Sequence, residues 1–246
     1  MRTLVLWDID HTLISVRGLS GEIYSTVFQQ LTGRTAERVA DMAGRTDRAI
    51  TSETLRHHGI EPTDDLMLRF MDALGNAYSE RRGEIKARGR VLPGAQAVLE
   101  ALSTRADVVQ SVLTGNMKPI AVCKLSAFGL EGFVDVEVGA YGLDHAERPP
   151  LVRLAQDRAG RKYGETFDAS RTVLVGDTPH DVHAGHQGGA RVVAVASGAS
   201  SEGDLRAAGA EVVLRSLADT DAVVRAVLDA GQPRSRSTDV RAPEAS

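Results

Sequence analysis

The sequence has one cysteine, Cys123, so neither an internal disulfide nor a zinc site built from cysteines is open to it. That residue falls in an apolar helical stretch, where a buried, inert thiol is the expected state. Lysine is nearly as scarce, with Lys86, Lys118, Lys124 and Lys162 the four in 246 residues. A net charge of -4 supplies no general basic field, which argues against a nucleic-acid partner. Long apolar runs are missing too: none approaches the roughly 18 residues of a membrane span. The start, Met1-Arg2 followed by Thr3 to Trp7, lacks the apolar core and small-residue cleavage site of a secretory signal. The expectation is a cytoplasmic protein with no membrane contact.

What is present suits a globular chain: 42% hydrophobic and 25% charged residues, enough to bury one large domain or a domain with an inserted module. The run Leu4 to Trp7, too short for a helix and bounded by acidic Asp8, reads as a strand buried on both faces. Similar runs occur at Val108 to Leu113, Val134 to Val138, Thr172 to Val175, Arg191 to Val195 and Glu211 to Leu214, each followed by a helical pattern. This alternation predicts an α/β fold, a Rossmann-like parallel sheet with helices on both faces. Residues 15–89 break it, with helical stripes such as Ile23, Val27, Phe28 and Leu31, then Leu66, Met67, Phe70, Met71 and Leu74. They read as an inserted helical cap, leaving 1–14 and 90–231 as the core. Past Gly231, a tail rich in Pro, Ser and Arg over 232–246 has too few apolar residues to fold.

Three strand ends carry polar groups able to converge on one ligand, since open α/β sheets bind ligands beyond the carboxyl ends of their strands. The first is Asp8-Ile9-Asp10-His11-Thr12, with two carboxylates two positions apart. The second is Leu113-Thr114-Gly115-Asn116 ahead of a helix opened by Pro119, where free N–H groups and the Thr114 hydroxyl suit a phosphate. The third is Gly176-Asp177-Thr178-Pro179-His180-Asp181, whose carboxylates suit a hard cation such as magnesium and whose glycine permits close backbone approach. Taken singly, each is also compatible with an ordinary turn. His180, His183 and His186 recur every three residues, but one helix seldom supplies three ligands to a metal.

In combination these segments resemble the haloacid dehalogenase-like superfamily, with its Asp-x-Asp-x-Thr motif, its Thr or Ser after the second strand, a basic residue and Gly-Asp-x-x-x-Asp. The resemblance covers nearly the whole chain up to the tail, and the insertion looks like the helical C1 cap of the phosphoglycolate phosphatase and beta-phosphoglucomutase group. It implies Asp8 as nucleophile, Asp10 as general acid and base, and Thr114, with Gly115 and Asn116, as the phosphate-binding turn. Mg2+ would be held by Asp8, Asp10 through its carbonyl, and Asp177, with Asp181 in support. His11 stands where the family has Gly. The basic position, normally Lys, is taken by Arg148, with Lys118 as the alternative. Arg45, in Gly44-Arg45-Thr46-Asp47, matches a cap segment that faces the active site, where it would bind the leaving group or a second anion; an exposed loop arginine is the other reading.

The activity so implied is a Mg-dependent phosphatase acting on a small phosphate monoester through a phosphoaspartate. A phosphomutase shares these residues and stays open as the alternative. A dehalogenase does not need Asp10, and a phosphonatase needs a Schiff-base lysine for which only Lys86 is available in the cap. A response-regulator-like signalling domain also gathers acidic residues, Thr and a basic group, but has no insertion of this kind.

Overall fold

The computed structural model describes residues 1–230, so the tail expected to be unstructured, 232–246, lies outside the described residues. The chain runs β1 (Thr3–Trp7), β2 (Ile14–Ser15), α1 (Leu19–Thr32), α2 (Asp47–His57), α3 (Asp64–Glu80), α4 (Arg82–Arg88) and β3 (Arg90–Val91). It continues α5 (Ala95–Ser103), β4 (Val108–Val112), α6 (Lys118–Ala127), α7 (Pro149–Tyr163), β5 (Thr172–Gly176), α8 (Pro179–Gly188), β6 (Arg191–Val195), α9 (Glu202–Ala207), β7 (Val212–Leu214) and α10 (Thr220–Ala230). Five strands form one sheet in the order β4-β1-β5-β6-β7, every neighbouring pair parallel. Because β1 lies between β4 and β5, the strand order reverses beside it, and the crevice at that point opens at the end of β1.

Alternation along the strands explains why the sheet is covered on both faces. Val5 and Trp7 join Val173, Val175, Val193 and Val195 in a cluster with α5 and α10. Leu4, Leu6 and Leu174 point the other way, onto Leu151, Val152 and Ala155 of α7 and Ala184 of α8. Each fully buried Val or Leu contributes about 1.5–3 kcal/mol, so both layers are needed to hold the sheet. Trp7 also needs a partner for its ring nitrogen, which donates to Gln110 Oε1 at 3.1 Å.

The expected strand at Val134 to Val138 is not formed. Its backbone groups are taken up otherwise: Asp135 N donates to Gln110 O, the Ser111 hydroxyl donates to Asp135 O, and Val138 N closes a turn onto Asp135 O. With those groups already satisfied, Val134 and Val136 pack on the core from an irregular segment.

Between β2 and β3, which pair antiparallel as a short ribbon at the base of the insertion, stand the four helices of the cap. Thr46 and Thr63 start α2 and α3 by accepting the N–H of Ala49 and Leu66. Tyr24 and Phe28 of α1 meet Phe70 of α3 with ring centroids 5.3 and 6.3 Å apart. Helix α3 in turn packs on α6, which seats the cap over the strand ends. Among the described residues no helix is long and apolar enough to cross a membrane.

Candidate active site

Asp8 leaves β1 with its N–H on Val175 O, which aims its buried side chain into the crevice between β4 and β5. Arg148, at the start of α7 and itself buried, reaches it from the side: Nη2 lies 2.8 Å from Asp8 Oδ1 and 2.8 Å from Asp181 Oδ1. Asp181 is fixed from behind, because Oδ2 accepts from the N–H and hydroxyl of Thr178 in the box that caps α8. Gly176 leaves room for this, since a Cβ there would run into the Asp181 carboxyl. Asp177 accepts from the Thr12 hydroxyl at 3.2 Å. Oxygen atoms of Asp8, Asp177 and Asp181 all fall within 4.8 Å of one another.

Burial pushes the Asp8 carboxyl up to about 7; Asp181 and Asp10 repel its charge, and Arg148 offsets only part of this. Burial likewise raises Asp177 to about 8, with repulsion from Asp8 and Asp181 next. One guanidinium does not balance three carboxylates. A donor set of this kind, all hard oxygen and short of positive charge, fits a divalent cation of the magnesium class.

Asp10, two residues on, sits in a second network. Its Oδ2 accepts from Lys124 Nζ at 2.6 Å and from Asn116 Nδ2 at 2.7 Å, while Asn116 Oδ1 accepts from Lys124 at 2.7 Å. Burial would raise Asp10, but the Lys124 ammonium, aided by Asn116, holds it below its usual value. Thr114 is buried, lines the same cavity and accepts from the N–H and Nδ2 of Asn116, so its own O–H is still free to donate. Lys118 points elsewhere, to Glu137 at 2.7 Å on the surface.

Lys124 is the site residue that sequence reasoning passed over. Its signal lay in the register of α6: it shares a face with Ile120, Ala121 and Leu125, all buried, and a lysine on such a face must find a partner. Its ammonium also lies 5.4 Å from the Tyr78 ring centre in the cap.

The cap segment Gly44-Arg45-Thr46-Asp47 docks directly on these loops. Asp47 N donates to Gly115 O, Met117 N to Asp47 Oδ2, and the Thr46 hydroxyl to Ala146 O. Gly115 is required here, because a Cβ would strike the Arg45 carbonyl. The Arg45 guanidinium turns to Glu53 Oε2 at 2.6 Å. Cap and core together enclose a cavity of about 420 Å³ with Asp8, Asp10, Thr114, Arg148 and Asp177 in its wall.

His11 adopts φ 61°, the left-handed region in which a side chain is strained. Ser197 anchors the turn by donating to its carbonyl. Relief of that strain is expected to make His11→Gly more stable by about 0.5–1 kcal/mol, read as a higher urea midpoint at unchanged slope. A lower midpoint would show that the histidine side chain contributes more than its backbone costs. His180, His183 and His186 are exposed along α8.

A parallel sheet with a carboxylate trio and two buried cations at its switch point, roofed by a helical insertion, defines a capped α/β enzyme. The family profile of the haloacid dehalogenase-like hydrolases matches residues 5–186, and the chain belongs to that family. It is 25% identical over 229 residues to Probable phosphatase IndB of Dickeya dadantii (strain 3937), covering 93% of this chain and 96% of that one. Among solved structures, CbbY from Rhodobacter sphaeroides in complex with phosphate superposes with a TM-score of 0.67 at 20% identity, over 89% of this chain and 96% of that one. A predicted phosphoglycolate phosphatase from Haemophilus somnus 129pt gives 0.63 at 19%, over 91% and 98%. Family membership together with the phosphatase-named relative supports a phosphatase.

Proposed function

We propose that the chain hydrolyses a small phosphate monoester in two steps, with Asp8 as nucleophile and Asp10 as acid and base. The observation that carries this reading is the Asp8 carboxylate, gripped on Oδ1 by Arg148 and exposed to the cavity beside Asp10. A free Asp8 oxygen attacks phosphorus, the bond to the leaving oxygen breaks, and that oxygen takes a proton from Asp10. Lys124 and Asn116 both occupy Oδ2, so the transferred proton belongs on Oδ1. Water then attacks the phosphoaspartate and gives its proton to Asp10, which frees phosphate and restores Asp8; acid and base help of this kind is worth about 10²–10⁴ in rate. The ion pair with Lys124 favours the carboxylate that this second step needs. The Thr114 hydroxyl, held in place by the Asn116 N–H, the N–H of Gly115 in the same turn, and Arg148 stabilise the transferring oxygens.

Asp8, Asp177 and the Asp10 carbonyl would hold Mg2+, with Asp181 fixed behind them. The ion would supply the positive charge that lets an anionic nucleophile approach an anionic phosphate. Phosphate release from a panel of small esters, with and without magnesium, tests the reading. Turnover that survives complete chelation would overturn the metal assignment, and absence of turnover on every ester would overturn the activity.

The raised carboxylates give a second measurement that does not depend on turnover. A folded-state pKa above the ordinary value means that the metal-free fold binds protons the unfolded chain releases, so its stability falls as pH rises from about 4 through 7 and 8, then levels off. Magnesium needs the deprotonated groups and should therefore raise Tm little at pH 5.5 and progressively more up to pH 8. A magnesium shift that is absent, or largest at pH 5.5, would contradict the assigned ligands.

A further inference from the structure

Part of the cavity lining differs in chemistry from the phosphate-binding groups. Ile50, Leu74 and Ile120 make it largely apolar, and Tyr24 adds to the same lining. The cations around it are already engaged. Arg45 is bound to Glu53, Lys124 to Asp10 and Asn116, and Arg148 to Asp8 and Asp181. Arg17 and His11 are exposed at the rim. Asp47 is the carboxylate fixed on the cap side, clamped by Met117 N at 2.8 Å and by its own N–H on Gly115 O. Burial raises this carboxyl to about 6, with the Met117 N–H and Lys124 opposing and Asp10 adding to the rise, so at neutral pH the half-buried group is charged.

A leaving group that filled this space would lie among apolar side chains and against the fixed Asp47 carboxylate. A second phosphate or a carboxylate there would face Asp47 with no free cation in the enclosed wall among the described residues, and like charges so placed are strongly disfavoured. We propose that the substrate is the phosphate monoester of an uncharged or cationic alcohol with substantial apolar surface, which donates a hydrogen bond to Asp47, and that esters carrying a second anion are excluded. This inference rests on the phosphatase reading and adds to it the class of leaving group.

Three aryl esters of similar size test it on the magnesium-loaded enzyme: phenyl phosphate, 4-carboxyphenyl phosphate and 4-(aminomethyl)phenyl phosphate. The carboxylate ester is expected to show kcat/KM at least about tenfold below phenyl phosphate, and the ammonium ester to equal or exceed it. In Asp47→Asn, which can still accept from Met117 N, the gap between carboxylate and phenyl esters should narrow at least about threefold. A carboxylate ester hydrolysed as well as phenyl phosphate, or a gap unchanged in Asp47→Asn, overturns the inference while leaving the phosphatase intact. A preference for the carboxylate that Arg17→Ala abolishes also overturns it and gives selection to the rim. Turnover of none of the three, by an enzyme that hydrolyses another ester of the panel, overturns this inference alone; failure on the whole panel overturns the phosphatase reading.

Discussion

Asp8→Asn is expected to abolish steady-state phosphatase turnover, by about 10⁴-fold or more, while leaving the fold intact. The amide has nearly the same volume but no anionic oxygen to attack phosphorus. In the metal-free protein the substitution should even be mildly stabilising above pH 7. Burial and the neighbouring Asp181 and Asp10 carboxylates raise the Asp8 pKa, so the ionised form is the one the fold tolerates poorly, and a neutral isostere removes that burden. The loss of its contact with Arg148 works the other way but is the smaller effect, since Asp8 is raised despite it. Acid-quenched wild-type enzyme incubated with a labelled ester should carry label on Asp8, and the variant should carry none. Wild-type turnover in a variant with an unchanged melting curve would remove Asp8 from the mechanism.

Much of this site was legible because strand ends are legible. A short β-rich run followed by Asp-x-Asp, by Thr-Gly-Asn or by Gly-Asp fixes where a side chain leaves the sheet, and parallel order then brings the ends of β1, β4 and β5 together. Arg148 was reached only through the family resemblance, with Lys118 as the alternative; the structure sets its guanidinium against Asp8 and Asp181. Groups whose placement depends on another element were not readable. Lys124 shares a helix face with Ile120, Ala121 and Leu125, which marks it as buried, but only the packing of α6 under α3 shows that its partner is Asp10. Arg45 could be placed in the cap loop but not oriented, because Glu53, eight residues on, competes for its guanidinium. The segment Val134 to Val138 had the composition of a strand. It was diverted by side-chain hydrogen bonds from Ser111 and Tyr141, which no local pattern encodes.

Lys124→Met should lower kcat by about 10²-fold and move the rising limb of the pH–rate profile upward. Met preserves the length and apolar stem of the lysine but removes the ammonium that Asp10 Oδ2 and Asn116 Oδ1 share. Asp10 would then keep Asn116 as a donor and lose its counter-charge, with Asp47 still nearby to repel it. The sign is fixed: the lysine holds the Asp10 pKa below its ordinary value, so removing it raises that pKa and depletes the carboxylate that must take the water proton. Hydrolysis of the phosphoaspartate should suffer most, and a burst of alcohol ahead of a slow steady state would show it. Breaking a fully buried ion pair costs about 3–5 kcal/mol, but the Asp10 side chain is 30% exposed and water compensates in part. A loss of about 1–2 kcal/mol in folding stability is therefore expected. Lys124→Arg separates charge from packing, since it keeps the cation but must fit a planar fork between Tyr78 and Asn116. It should restore the position of the pH limb more fully than it restores kcat. If Lys124→Met turned over at the wild-type rate with an unmoved limb, the lysine would be a packing residue between cap and core, and Asp10 would act without its help.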